Sequence, residues 1–137
     1  MHTSTATRIV CVALRLSLAT AFLSAVADRF GWWAPVGQGS WGSMDAFADF
    51  THQLVPFASG WLLTVIVLAV TVTEIVLGVL LLTGWQPKLV GAASCVVLIV
   101  FGSAMAVSLG LASPLSYSVF TAASAAAAYA LLANSAS

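Results

Sequence analysis

Few side chains in this 137-residue sequence can carry a charge, move a proton or hold a ligand, and two of them stand inside apolar runs. Arg15 is the only charge in residues 9–27, and Glu74 the only one in residues 57–82. An ionised group in the middle of a membrane span costs roughly 2.5–3.5 kcal/mol on insertion scales and normally faces a partner or a polar cavity. The simplest arrangement is a mutual ion pair, Arg15–Glu74, that locks the first two spans together. Such a pair has two readings. It is a structural lock, or it is a functional pair that binds a polar head group or relays protons.

The neighbours of these two residues are ordered. Arg8, Arg15, Phe22 and Arg29 recur at seven-residue spacing and share a helical face. Ser17, Thr20, Ser24 and Asp28 form a second, nearly opposite polar stripe. On the second span Thr64, Thr71, Glu74 and Gly78 share a face, where the hydroxyls can bond to carbonyls and the glycine allows close helix approach. A second polar cluster is expected at one mouth of the protein. Asp28 and Arg29 end the first span, Ser113-Pro114-Leu115-Ser116-Tyr117 opens the last, and His52 can approach from the intervening loop. Taken singly, these read as a solvated helix end and interface residues.

Other chemistries are poorly supplied. Cys11 and Cys95 are not a C-x-x-C pair and read as small apolar packing residues. No span contains a histidine, so haem ligation would fall to Met105 alone. His2 and His52 are far apart, and no cluster of His, Cys and carboxylates suggests a metal. No glycine-rich phosphate loop or nucleophile elbow is present. No metal or covalent cofactor is expected.

The elements that must position these residues follow from composition. The chain is 61% hydrophobic and 6% charged, with four basic and four acidic residues and zero formal net charge. Soluble domains carry about 25% charged residues, so a water-facing surface cannot be coated. A nucleic-acid binder needs a basic field, and a disordered chain has far less apolar material. A single-domain, all-α integral membrane protein remains, with apolar runs at residues 9–27, 57–82, 89–111 and 115–133. They predict a four-helix bundle. Arg8 followed by an apolar run and Ala25-Val26-Ala27 would also suit a signal peptide, but Arg15 interrupts the apolar core that such a peptide needs.

The only sizeable loop is Asp28–Pro56. Trp32, Trp33 and Trp41 read as interface anchors, and Gly37, Gly39 and Gly42 break regular structure. Ser43 can cap a short helix with Asp45 in its first turn. Phe47, Phe50 and Leu54 would give that helix one apolar face, able to lie on the membrane surface, cap the bundle or act as a lid. Small residues on the third and fourth spans, including Gly91, Ser94, Gly102, Ala122 and Ala125–Ala128, suit close packing within the bundle or against another subunit.

Three stretches resemble the DoxX family of small membrane proteins. They are LRLSLATAFLSAVADRFGWW (Leu14–Trp33), TEIVLGVLLLTGWQPKLVG (Thr73–Gly91) and SPLSYSVF (Ser113–Phe120). The arginine in the first span, A-D-R-F-G at its end and E-x-x-x-G in the second are the more specific parts. The family often has an acid where this chain has Ser116. The resemblance implies a four-helix membrane bundle and points to Arg15, Asp28, Arg29, Glu74 and Tyr117. Some relatives are named small subunits of thiosulfate:quinone oxidoreductase, and others associate with membrane oxidoreductases. It therefore implies a membrane subunit of a redox system that assists a partner subunit or pairs with itself, and holds a quinone or lipid head group near its polar residues. Two other readings stay open. One is thiosulfate:quinone reduction by the chain itself, with Arg29, His52 and Tyr117 meeting the anion. The other is a small solute transporter.

Orientation follows from Arg8 and Lys88, which fall on one side of a four-span chain, with Arg29 opposing them. They place both termini in the cytoplasm of a plasma-membrane protein and the Asp28–Pro56 loop outside. A fluorescent protein fused after Ser137 should therefore light up, and alkaline phosphatase at the same point should stay inactive. Active phosphatase there would invert the topology.

Overall fold

The computed structural model describes residues 4–37 and 41–136. His2 and Gly39 lie outside the described residues. Among those described, every regular element is helical: α1 (Thr5–Arg29), α2 (Met44–Leu54), α3 (Gly60–Thr83), α4 (Pro87–Leu109), α5 (Ala112–Ser116) and α6 (Val119–Ala136), with one 3₁₀ turn at Ala34–Val36.

The boundaries have local causes. Ser4 caps α1, its hydroxyl accepting the Thr7 amide at 3.1 Å. Ser43 caps α2 as expected, accepting from Ala46 at 3.1 Å, with Asp45 in the first turn. α3 stops at Gly84, which takes the left-handed conformation (φ +74°). Pro87 then opens α4, where its missing N–H costs nothing.

α1, α3 and α4 are each long and apolar enough to cross a membrane, while α6 is a shorter apolar helix. A helix rises about 1.5 Å per residue, so the 25 residues of α1 extend about 37 Å. α3 keeps Val65, Leu68, Val72, Val76, Val79 and Leu82 about half exposed along one side. In water such a stripe would be costly; against acyl chains it is the natural outer face. The fourth run departs from expectation. Its predicted start, 115, falls inside the short α5, and α6 begins only at Val119. The break is Ser118, which adopts φ +57° after the Tyr117 amide has closed a turn on the Ser113 carbonyl.

α4 and α6 make the most extensive pairing, followed by α1 with α3 and α1 with α6. Small residues set these distances. A methyl group added at Gly91 would sit 2.8 Å from the Ala130 Cβ, and one at Gly78 would sit 2.7 Å from the Leu23 side chain. Ser94, one turn beyond Gly91 on α4, is fully buried and donates its hydroxyl to the Val90 carbonyl at 2.8 Å. The small-residue face of α4 is thus used within the chain. The core gathers around Leu18, Ala19, Phe22, Leu77, Leu81 and Tyr129. Cys11 is buried at its edge and Cys95 is half-buried; both are free thiols.

α2 packs on α3 and α4 at the end where α1 finishes. Phe47 and Leu54 are buried and Phe50 half-buried, so the apolar face read from the sequence points inward. Phe50 meets Phe101 of α4 with ring centroids 6.3 Å apart, and Ser108 donates to the Leu54 carbonyl at 3.0 Å.

Replacing Gly91 by leucine should separate α4 from α6 and lower stability by about 1–3 kcal/mol, as overpacking does. Thermal unfolding in detergent followed by circular dichroism tests this, with the solvent-facing Ala92→Leu as the control that should leave the midpoint near wild type.

Candidate functional site

The ion pair predicted between Arg15 and Glu74 does not form. Glu74 pairs with Arg29, Nη2 to Oε2, at 2.7 Å. The cause is side-chain direction. Cα–Cβ bonds in an α-helix tilt toward its N-terminus. Arg29, at the C-terminal end of α1, therefore reaches back down into the protein by about one turn and meets Glu74. Arg15 points away from the middle, and its guanidinium lies against Gly84. Depth counted along the helices alone, without that tilt, selects the wrong arginine. Arg15 is also less deep than its place in the apolar run implies, since Gly84 marks the turn between α3 and α4.

Nor is the end of α1 a solvated helix end. Arg29 is 1% exposed and Asp28 5%. Arg29 Nη1 donates to Thr71 Oγ1 at 3.0 Å. Its guanidinium carbon stands 3.5 Å from the Phe47 ring centroid and 5.4 Å from that of Trp41, within cation–π range. Trp41 itself packs edge-on against Phe47 at 4.9 Å. Asp28 accepts the backbone amides of Trp41 at 2.9 Å and Gly42 at 3.2 Å. One residue thus fixes the loop, and the next fixes α3. Trp41 is a wall over Arg29 rather than a free interface anchor. Trp33 folds back along α1 and donates from Nε1 to the Ser24 hydroxyl at 3.1 Å.

Beneath this arrangement lies a cavity of about 660 Å³. Leu18, Phe22, Leu98, Phe101, Met105 and Val119 give it apolar walls; Asp28, Arg29, Glu74 and Trp41 form its polar end. It opens on the flank between α1 and α6, where the lining residues Thr20, Ala21 and Tyr117 are exposed. One polar atom at the closed end is unsatisfied. Arg29 Nε is buried with no hydrogen-bond partner among the described residues, while Glu74 Oε2 is held by Arg29 at 2.7 Å. Buried polar groups are normally satisfied, so this donor is the exception in the site.

Of the residues singled out from sequence, Asp28, Arg29, Glu74 and Tyr117 come together around this cavity. Arg15 and His52 do not. Arg15 lines a separate recess at the other end. His52 is exposed and its Nδ1 lies 2.8 Å from the Ala58 carbonyl, so it ties the α2–α3 turn instead of reaching the mouth. Sequence reading missed Trp41 and Phe47 as the stack around Arg29, and Leu98, Phe101 and Met105 as cavity wall. The apolar face of α2 was a signal for Phe47. Nothing local marks Trp41, because an Asp28 side chain thirteen residues earlier holds it.

Fold and site together define a helical membrane protein with a polar-ended cavity among its long helices. Residues 7–114 match the family model described as methylamine utilisation protein MauE, and since this is most of the chain, the protein belongs to the MauE family. The DoxX resemblance is thereby corrected. Of the residues that carried it, Arg29, Glu74 and Gly78 join α1 to α3, while Arg15 does not. No curated protein and no solved structure matches the chain.

Removing one partner of a buried ion pair strands the other charge. Glu74→Ala should therefore destabilise the protein by about 3 kcal/mol, with Glu74→Gln milder, and Arg29→Met combined with Glu74→Leu should recover most of the loss. Thermal unfolding of the wild type and these three variants in detergent checks this. A double variant no better than Glu74→Ala would remove the ion pair as the source of the effect.

Proposed function

We propose that this chain is an accessory membrane component of a redox system that takes an amphipathic ligand into its cavity, an isoprenoid quinone head group being the best candidate. The observation that carries the reading is the closed end of the cavity, where the Arg29–Glu74 pair borders an otherwise apolar space and Arg29 Nε has no hydrogen-bond partner among the described residues. A quinone ring carries carbonyl oxygens that accept hydrogen bonds, and its isoprenoid tail matches the apolar walls and an opening that faces acyl chains. The donor set therefore fits such a group. When bound, a quinone supplies two-electron, two-proton redox chemistry. The chain's own part is to orient: Arg29 donates to one ring oxygen, its ion pair and Thr71 keep the guanidinium from swinging away, and Trp41 with Phe47 excludes water from above.

The family's name ties its members to methylamine utilisation. Oxidising an amine releases electrons, and a membrane carrier is one destination for them, which is the chemical link to the cavity. In this reading α6 crosses the bilayer with α1, α3 and α4, completing a four-helix bundle in the plasma membrane with both termini in the cytoplasm. A partner oxidoreductase subunit would supply the redox centre that the chain's own inventory lacks.

Titrating purified protein with a short-chain quinone, and following quenching of tryptophan fluorescence, should give saturable binding. Ala122→Phe, which fills the cavity from α6, should weaken it by about tenfold while leaving the helical circular dichroism intact. Equal quenching in both proteins would mean that quinone only partitions into the detergent, and would overturn the reading.

A further inference from the structure

The second arginine of α1 makes a different site. Arg15 is half-buried, its Nε is buried with no hydrogen-bond partner, and it forms no ion pair with a carboxylate among the described residues. Its guanidinium lies against Gly84, where any side-chain carbon would displace it. Gly84 is thus needed twice, for its left-handed backbone and for the space it leaves. Between Arg15, Gly84, Pro87 and the 3%-exposed Tyr129 lies a small recess of about 140 Å³. It is a pocket with one charged wall and no countercharge from a described side chain.

Charge and depth say what fits there. Three of the four basic residues, Arg8, Arg15 and Lys88, belong to this end of the molecule, and the four acidic side chains belong to the other end or to the Arg29 pair. Lys88 directly follows Pro87 of the recess. Trp85, half-exposed in the same turn, marks the membrane–water interface. Gly84 is level with the Arg15 guanidinium, which reaches back beside Cys11 and Val12, so α1 continues about 10 Å beyond this plane to Thr5. Arg8 thus stands about 5 Å further out, toward water. Arg15 is at head-group depth, in a slot large enough for a tetrahedral oxyanion and lined on one side by its charge. A guanidinium binds such oxygens through paired N–H donors.

We propose that the Arg15 recess binds a phosphate group, and that its depth makes a membrane phospholipid the source. The lipid would be anionic, because Lys88 and Arg8 leave the surrounding surface positive. This site is independent of the cavity at Arg29: it lies at the opposite end of α1 and rests on different residues.

The full chain, purified in detergent, is titrated with phosphatidylglycerol, with phosphatidylcholine and with inorganic phosphate, and bound lipid is counted by native mass spectrometry. Phosphatidylglycerol should bind about tenfold more tightly than phosphatidylcholine. Arg15→Gln should lose about tenfold in that affinity, and Arg15→Lys, which keeps the charge but not the fork, about threefold. Arg8→Gln, which removes one surface charge and leaves the recess intact, should lose less than twofold. Equal losses in Arg8→Gln and Arg15→Gln would reduce the effect to general surface charge and overturn the site. Unchanged phosphatidylglycerol affinity in Arg15→Gln, or in Arg15→Lys should the glutamine variant not fold, would overturn it too. Saturable, Arg15-dependent binding of inorganic phosphate without any preference between the lipids would overturn the assignment to lipid in favour of a free anion.

Discussion

Arg29 is the point on which the rest of the structure turns. It ends one long helix, neutralises the only acid inside another, and carries the aromatic face of α2 on its guanidinium. A buried arginine is tolerable only when its charge and most of its five donors are met. Here the carboxylate of Glu74 meets the charge, the hydroxyl of Thr71 takes one donor and two aromatic rings cover the guanidinium, while Nε has no partner among the described residues. α1, α3 and α2 thus all meet at one guanidinium. Asp28 strengthens the same junction from the adjacent position by fastening the loop backbone at Trp41 and Gly42.

The same junction leaves a gap. α4 and α6 are drawn close by Gly91 and Gly102, while α1 is held to α3 by its arginine and by the Gly78–Leu23 contact. The core cluster joins the two pairs from Cys11 to Ala133, and the cavity lies toward α2. Its polar end is formed by the same ion pair that holds α1 to α3.

Much of the frame was legible in the sequence. Apolar runs place three of the spans within a few residues, Ser43 and the Phe47–Phe50–Leu54 pattern give α2 its cap and inward face, and Thr71, Glu74 and Gly78 are correctly read as one face of α3. The failures share a cause. Arg15 was matched to Glu74 by distance along the helix axes, and Asp28 and Arg29 were read as solvated, because a one-dimensional pattern carries neither the direction of a side chain nor the return of a loop. The start of α6 at Val119 was hidden because Ser118 takes a backbone conformation that serine rarely favours. Family membership was misread because it was judged on a few short stretches, whereas the family match extends over residues 7–114.

The cavity's opening on the flank of the molecule has a thermodynamic consequence. A flank opening on a membrane-embedded helix bundle faces acyl chains, so what an incoming molecule displaces there is hydrocarbon rather than bulk water. Exchanging one hydrocarbon for another releases almost no free energy, since the tails are as apolar as the leucine and phenylalanine that line the space. The large apolar surface thus admits many molecules and selects none of them. Discrimination falls to a few ångströms around Arg29 and Glu74, where one well-placed oxygen separates a true occupant from the surrounding solvent of the membrane.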